Sequence, residues 1–473
     1  MKIMMKKLIP PAVPLLMVAL LVTACSTPPR YERPAVEVPA AFKESSLWKA
    51  ARPDAAAVPD EWWLLFNDPM LNELQKQVVT GNENLKASAA QYQVARAALG
   101  SSRAALLPTL GASAGASRGA TSGSTAAGSN PAATSYSIGA SASWELDLWG
   151  RVAGTISSAG ARAQASAADV AAVRLSLQAT LAQTYFSLRA AESQIALLER
   201  SVAAYQRSLD LTQNRYTAGI ASAADVAQAT TQLKSTQAQQ VEASSGRAQL
   251  EHALATLLGK PASAFGMTRT ATLPQAPGIP VQVPANLLER RPDIAAAERR
   301  VAAANAQIGV AQSAFFPAIT LSGSAGFRGA ELAELISSPN LFWSIGPALA
   351  LTLFDGGARK SAEESAKASA DQAIATYRQT VLTAFQEVED NLVIAASLEE
   401  QIALQADAFK AAVRSLEIAN NQYKAGTVSY LNVVTAQATA LSAERTLLDV
   451  RNRRLAAITQ LLKNLAGRWA VGE

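Results

Sequence analysis

Gly111-Ala112-Ser113-Ala114-Gly115 has the G-x-S-x-G spacing that in hydrolases holds a nucleophilic serine on a tight strand-to-helix turn. That elbow needs a helix directly after the strand and a histidine to take the serine's proton. Here Ser113 sits inside a segment of alternating residues, and the only histidine, His252, lies in a helical stretch among apolar neighbours. Glu363-Glu364, Glu399-Glu400 and the trio Glu387, Glu389 and Asp390 could pair carboxylates for acid–base work. On long amphipathic helices such acids are solvated faces instead. A single cysteine and a single histidine exclude a thiolate or imidazole metal site, a disulfide framework and a Cys/His catalytic pair. No Met or His cluster invites copper or silver. The chain is therefore expected to have no catalytic residue, no metal and no cofactor, and not to be an enzyme.

The one cysteine has a local explanation. Lys2, Lys6 and Lys7 precede an apolar run from Leu8 to Val22, too short to span a bilayer and shaped like a secretory signal. It ends in Leu21-Val22-Thr23-Ala24-Cys25, which resembles the lipobox of bacterial lipoproteins and implies that Cys25 is acylated and becomes the first residue. Ser26 follows, not the aspartate that such lipoproteins use for inner-membrane retention, so the resemblance places the lipid in the outer membrane. A single acylated residue anchors but does not span. The formal charge is +5, and removing the three signal lysines leaves a mature chain close to neutral. That is no nucleic-acid footprint.

The remaining sequence is organised for length rather than for a bulky core. Of the 473 residues 49% are hydrophobic but only 6% aromatic, because much of the apolar share is alanine, which favours helix. Prolines crowd residues 26–60, an extended arm, and again 261–284, while residues 132–260 and 348–473 carry none. In the first proline-free stretch Leu181, Leu188, Ile195, Val202, Leu209 and Tyr216 recur every seven residues; in the second Val381, Val388, Ala395, Ile402, Phe409, Leu416 and Tyr423 do the same. Val434, Leu441, Leu448, Leu455 and Leu462 mark a return helix. A strict seven-residue repeat means left-handed, coiled-coil-like packing. One helix over 152–214 would be about 95 Å long at 1.5 Å per residue.

The two stretches are copies. Arg215-Tyr216-Thr217-Ala218-Gly219 matches Gln422-Tyr423-Lys424-Ala425-Gly426, and Arg118-Gly119-Ala120 matches Arg328-Gly329-Ala330. This is a two-unit internal repeat, in which Gly219 and Gly426 are expected to cap a helix and turn the chain. Expected boundaries are a signal peptide over 1–24, a lipidated Pro-rich arm over 25–60, a first repeat over 61–260, a linker over 261–285 and a second repeat over 286–473.

Between the helices the period changes to two. Tyr136, Ile138, Ala140, Ala142, Trp144, Leu146 and Leu148 alternate with Ser, Gly and acidic residues, and Leu110, Ala112, Ala114 and Ala116 alternate with Gly and Ser before them. The second repeat offers Ile319, Leu321, Ala325 and Phe327, then Trp343, Ile345, Leu349, Leu351 and Leu353. Four strands are expected, at about 105–119, 134–149, 317–328 and 341–355. With Trp144, Trp149, Phe342 and Trp343 near their ends they resemble transmembrane β-barrel strands with aromatic girdles. Four strands cannot close a barrel, so one must be shared between chains, as eight strands in a dimer or twelve in a trimer, and only the larger leaves a wide lumen. The plainer alternatives are a soluble β-sandwich with Ser-rich faces and a structural coiled-coil lipoprotein or adhesin.

Trp62-Trp63 with Phe66, Asp68-Pro69 and Leu71, Trp144-Glu145-Leu146-Asp147-Leu148-Trp149-Gly150-Arg151, Leu287-Leu288-Glu289-Arg290-Arg291-Pro292-Asp293-Ile294, Phe315-Phe316-Pro317 and Leu353-Phe354-Asp355-Gly356-Gly357 together resemble the outer-membrane factor (TolC-like) family, in its OprM-like lipoprotein branch. The resemblance covers essentially the whole mature chain. It implies a mixed α/β fold made mainly of long helices, and a homotrimer whose twelve-stranded outer-membrane β-barrel is continuous with a periplasmic α-helical barrel. It further implies a passive exit duct of a tripartite pump, working with a periplasmic adaptor (membrane fusion) protein and an inner-membrane transporter of the resistance-nodulation-division (RND) type. Small molecules are the implied cargo; a duct for protein or peptide secretion, or for heavy metals, is the runner-up.

The resemblance also implies residue roles at the periplasmic end, where the two hairpin turns at Gly219 and Gly426 converge and side chains close the duct. Leu431 matches the apolar closing ring and Tyr423 the tyrosine of the tip. The branch's iris aspartate is here Thr435 and its partner arginine Ala438, so the closing contacts differ. Asp225, six residues beyond Gly219, is expected to supply a secondary acidic ring.

Overall fold

The computed structural model describes residues 31–36, 38–43, 60–120, 132–278 and 290–466. Cys25, most of the Pro-rich arm, the loop around Asn130-Pro131 and Leu287-Leu288-Glu289 lie outside them. The described chain runs α1 (Pro69–Gly81), α2 (Glu83–Ala104), β1 (Thr109–Gly119), β2 (Ala133–Glu145), α3 (Arg151–Thr217), α4 (Ala223–Leu257), α5 (Pro292–Ser313), β3 (Ala318–Gly329), β4 (Leu341–Ala350), α6 (Ala358–Lys424) and α7 (Tyr430–Leu465). Helices α3 and α6 have 67 residues each, which at 1.5 Å per residue is about 100 Å. Two compact units divide the chain, one formed by residues up to 35, 92–166 and 297–377, the other by 36–91, 167–296 and the residues from 378 onward.

The first unit holds one antiparallel sheet in the order β1-β2-β3-β4, with β1 and β4 as its edges. Its register joins like to like. Leu110 faces Ala142, which faces Gly323 and then Ile345; Ala112 faces Ala140, Ala325 and then Trp343. Directly opposed residues share a face, so one side of the sheet carries mainly Leu, Ile, Ala and Trp with Phe327, and the other mainly Ser, Thr and Gly, with Phe342 opposite Gly326 as its aromatic exception. Ser324 and Ser344 meet on the polar side, their hydroxyls 2.8 Å apart. The apolar side is bare in the single chain: Leu110, Trp343, Ile345 and Leu349 are 66–82% exposed.

Strands β2 and β4 stop short of where the alternation runs, at Glu145 and Ala350 rather than near 149 and 355. Helix capping is the reason. Asp147 accepts hydrogen bonds from the Val152 and Ala153 amides at 3.1 and 2.7 Å, which ends the strand and starts α3. Glu145 grips Arg151 with both oxygens, Trp149 stacks on Phe316 and donates to the Pro317 carbonyl, and Trp144 donates to the Leu106 carbonyl. Asp355 repeats the device at α6, accepting from the Gly357 and Arg359 amides and from the Arg359 guanidinium.

The second unit is packed along the heptads. Leu181, Leu188, Ile195, Leu198 and Tyr205 on α3, Val381, Val388 and Ala395 on α6, and Leu441, Leu455 and Leu462 on α7 are buried. Phe66 lies against Phe186 with ring centroids 4.7 Å apart, and Asp68 both caps α1 and accepts from the Tyr185 hydroxyl at 2.7 Å. Next to it runs a buried ionic chain: Arg189 to Glu192 at 2.7 Å, Glu192 to Arg247 at 3.1 Å and Arg247 to Glu251 at 2.7 Å. Its free valences hold the segment after α4, through the Met267 and Thr268 carbonyls and the Met267 and Thr270 amides. Burial pushes the Glu251 carboxyl upward, but the Met267 amide and the Arg247 guanidinium outweigh it and hold it below the usual range.

Candidate functional site

The α3–α4 and α6–α7 turns are built alike. At the first, the Ile220 amide reaches the Arg215 carbonyl at 2.8 Å and the Gly219 amide the Tyr216 carbonyl at 2.9 Å; at the second, Thr427 reaches Gln422 and Gly426 reaches Tyr423, both at 3.0 Å. This is the Schellman pattern. It needs a left-handed residue, and Gly219 and Gly426 supply it with φ of 72° and 79°. Asp225 lies in the turn's other half, where it completes a capping box: the Ser222 hydroxyl accepts from the Asp225 amide, and Asp225 Oδ2 accepts from both the amide and the hydroxyl of Ser222 at 2.9 Å. Ser222 three residues ahead of an acid was the sequence signal for this role.

The two turns are tied together. Arg215, at the end of α3, lies 4.7 Å from the Tyr423 ring centroid and donates to the Tyr423 and Lys424 carbonyls at 3.1 and 3.3 Å. It thereby satisfies carbonyls that the last turn of α6 leaves without an intrahelical donor. Tyr423 packs edge-on against Tyr430, ring centroids 5.2 Å apart, in a cluster with Ala229, Ala419 and Val433. The Tyr430 hydroxyl meets Ser208 of α3 at 3.0 Å. Burial raises its pKa, Tyr423 and Asp225 acting in the same direction against the Ser208 contact. Neither Arg215 nor Tyr430 carries a role in the family resemblance; the arginine's appears only when two segments 208 residues apart meet.

Leu431, next along α7, points away from this cluster and is 53% exposed. Thr435 and Ala438, one and two turns further on the same face, are exposed too, and the Thr435 hydroxyl folds back on the Leu431 carbonyl. This exposed face thus offers a branched apolar side chain, then a threonine and an alanine, and no charge. The Ser113 and His252 of the hydrolase-like pattern fall on β1 in the first unit and on α4 in the second, so the structure places the serine mid-strand and not on an elbow. Among the described residues no group of three or more His, Cys, Asp or Glu is placed to hold a metal ion.

Long heptad helices, a sheet with one apolar and one polar face, and paired helical turns are the parts of an outer-membrane efflux channel, and comparison with known proteins agrees. The chain belongs to the outer membrane efflux protein family: that family's model matches it twice, over residues 74–260 and 283–467. It is 34% identical over 468 residues to outer membrane protein OprJ of Pseudomonas aeruginosa, covering 97% of this chain and 96% of that one. With the toluene efflux pump outer membrane protein TtgC of Pseudomonas putida it shares 31% identity over 456 residues, covering 95% and 94%. Its fold is similar to that of the outer-membrane channel OprN, with a TM-score of 0.87, 30% identity and coverage of 94% and 100%. It is an outer-membrane protein with a periplasmic helical portion and serves as the outer-membrane channel of a tripartite efflux pump.

Proposed function

We propose that three copies of the chain form a passive exit duct for small molecules, each giving four strands to a twelve-stranded barrel and its long helices to a periplasmic tube. The observation that carries this reading is the linear, two-edged sheet. Its strands of 10–13 residues have the length that crosses a bilayer, yet β1 and β4 are not paired with each other. Open edges are not tolerated in hydrocarbon, so edge must meet edge of another copy, lipid taking the apolar face and water the serine-lined one. Among the described residues no helix is long and apolar enough to cross a membrane.

In this reading the paired turns form the periplasmic end, Leu431 supplies an apolar closing ring, and Tyr423, Gly219 and Gly426 shape the tip. Asp225 is committed to its capping box and secures the turn, leaving the closure mainly apolar. Cys25 carries the lipid anchor. The duct itself performs no chemistry; a periplasmic adaptor and an inner-membrane RND-type transporter supply the work. Relatives named for toluene, solvent and antibiotic efflux support a small-molecule cargo.

The test is native mass measurement of the detergent-solubilised protein, paired with accumulation of ethidium, antibiotics and metal salts in a host lacking redundant channels. Three chains per particle and lowered dye or drug accumulation on expression are expected. A monomer, or a channel that changes only the secretion of proteins, overturns the reading.

A further inference from the structure

A cleft of about 570 Å³ opens in the second unit between the segment at residues 271–276 and helices α3, α6 and α7. Its floor is apolar, with Ile402, Leu448 and Leu455. Its rim is cationic, with Arg200, Arg451 and Arg454 against one acid, Glu444. The opposing acids hold these arginines loosely. Arg200 meets Glu444 at 2.9 Å, their side chains 64% and 27% exposed, and Arg454 meets Glu399 at 3.1 Å, 19% and 66% exposed; each pair keeps one partner in solvent, where such an attraction is worth little. Arg451 makes no ion pair among the described residues, and Arg454 Nε is buried without an acceptor. The fourth wall is Ala271–Ala276, which contains Pro274, has no helix or strand, and makes no backbone hydrogen bond to another described residue.

We propose that this cleft is a docking site for an acidic peptide segment of a periplasmic protein, a role separate from conduction. The three guanidiniums suit carboxylates spaced along a chain, since each offers a planar fork that a carboxylate fills. The unpaired backbone of 271–276 suits a peptide more than a compact anion, because an extended chain can hydrogen-bond alongside it. The apolar floor takes the small side chains between the acids.

The experiment uses the full-length assembled protein in detergent and fluorescence anisotropy of a labelled peptide of alternating glutamate and alanine. Saturable binding is expected. It should weaken at least tenfold in Arg451→Glu, which breaks no ion pair among the described residues, and further in Arg451→Glu with Arg454→Gln. Arg453→Ala, an exposed neighbour outside the cleft, should bind as the parent does. Four results overturn the proposal: no binding to the assembled protein, as when a second copy covers the cleft; equal binding of the glutamine counterpart; unchanged affinity in Arg451→Glu; or full displacement by equimolar inorganic phosphate, which marks a plain anion site.

Discussion

The guanidinium of Arg215 covers the ring of Tyr423 at 4.7 Å and donates to that residue's own carbonyl, so one side chain of the first repeat closes the last turn of the second repeat's descending helix. The contact joins the two hairpins at their turns, where each alone would fray.

Arg215→Ala should therefore loosen the α6–α7 turn without unfolding the sheet. A cation–π contact and two hydrogen bonds at a half-buried site together amount to about 2–3 kcal/mol. Hydrogen exchange of the amides at 424–428 is the measure, and protection should fall by more than tenfold. Lysine should rescue only part, since it keeps the charge and loses the fork.

Gly219→Ala and Gly426→Ala test the turns separately. No atom lies within 4 Å of the added Cβ at either position, so the penalty is conformational alone, about 1–2 kcal/mol for a left-handed alanine. Exchange at Ile220 and Thr427 should quicken accordingly, and asparagine at either position should cost less.

Leu431→Ser should raise single-channel conductance in a planar bilayer if Leu431 supplies the proposed apolar closure, because its exposed branched side chain is lost while the buried Tyr430 and Val433 beside it are untouched. Unchanged conductance would remove Leu431 from the closing ring.

Ile345→Arg places a charge on the apolar face of β4, and Ser344→Arg places it on the other. On a lipid face a mid-membrane arginine costs about 2–4 kcal/mol; on a water-filled face it costs little. Outer-membrane yield should drop for Ile345→Arg only. Equal losses would argue against the assignment of the two faces.

Acid should release the segment after α4. The Glu251 carboxyl is held below its ordinary value of 4.5, so the folded state binds the proton less readily than the unfolded one. The contribution to stability is complete above that ordinary value and is lost as pH falls through the folded value. Exchange of the Met267 amide, which donates to Glu251, should accelerate as pH falls below that ordinary value. Glu251→Gln should already be fast at neutral pH and lose that dependence.

Features written in local spacing were legible from the residues alone. Heptads at Leu181, Leu188 and Ile195, the alternation of Tyr136 to Trp144, and the glycines at 219 and 426 each encode their own neighbourhood, and each lies in the structure as its spacing implies. Strand ends were less legible, because Asp147 and Asp355 outcompete an alternation that continues past them. At Asp225, Ser222 three residues ahead spells the capping box found in the structure, whereas the acidic ring rests on the family resemblance alone. Arg215 over Tyr423, and the chain from Arg189 to Glu251, depend on segments that meet only through the packing of several helices. No window of sequence contains them.

The like-to-like register has a consequence for how such strands can change. Each residue of β2 shares its side of the sheet with its partners on β1 and β3, so one inserted residue would send every later side chain to the wrong surface, serines toward the oily side and tryptophan toward the wet one. Two inserted residues would restore the parity. Drift in strand length is thereby quantised in pairs, and odd changes have to be absorbed in the connecting turns.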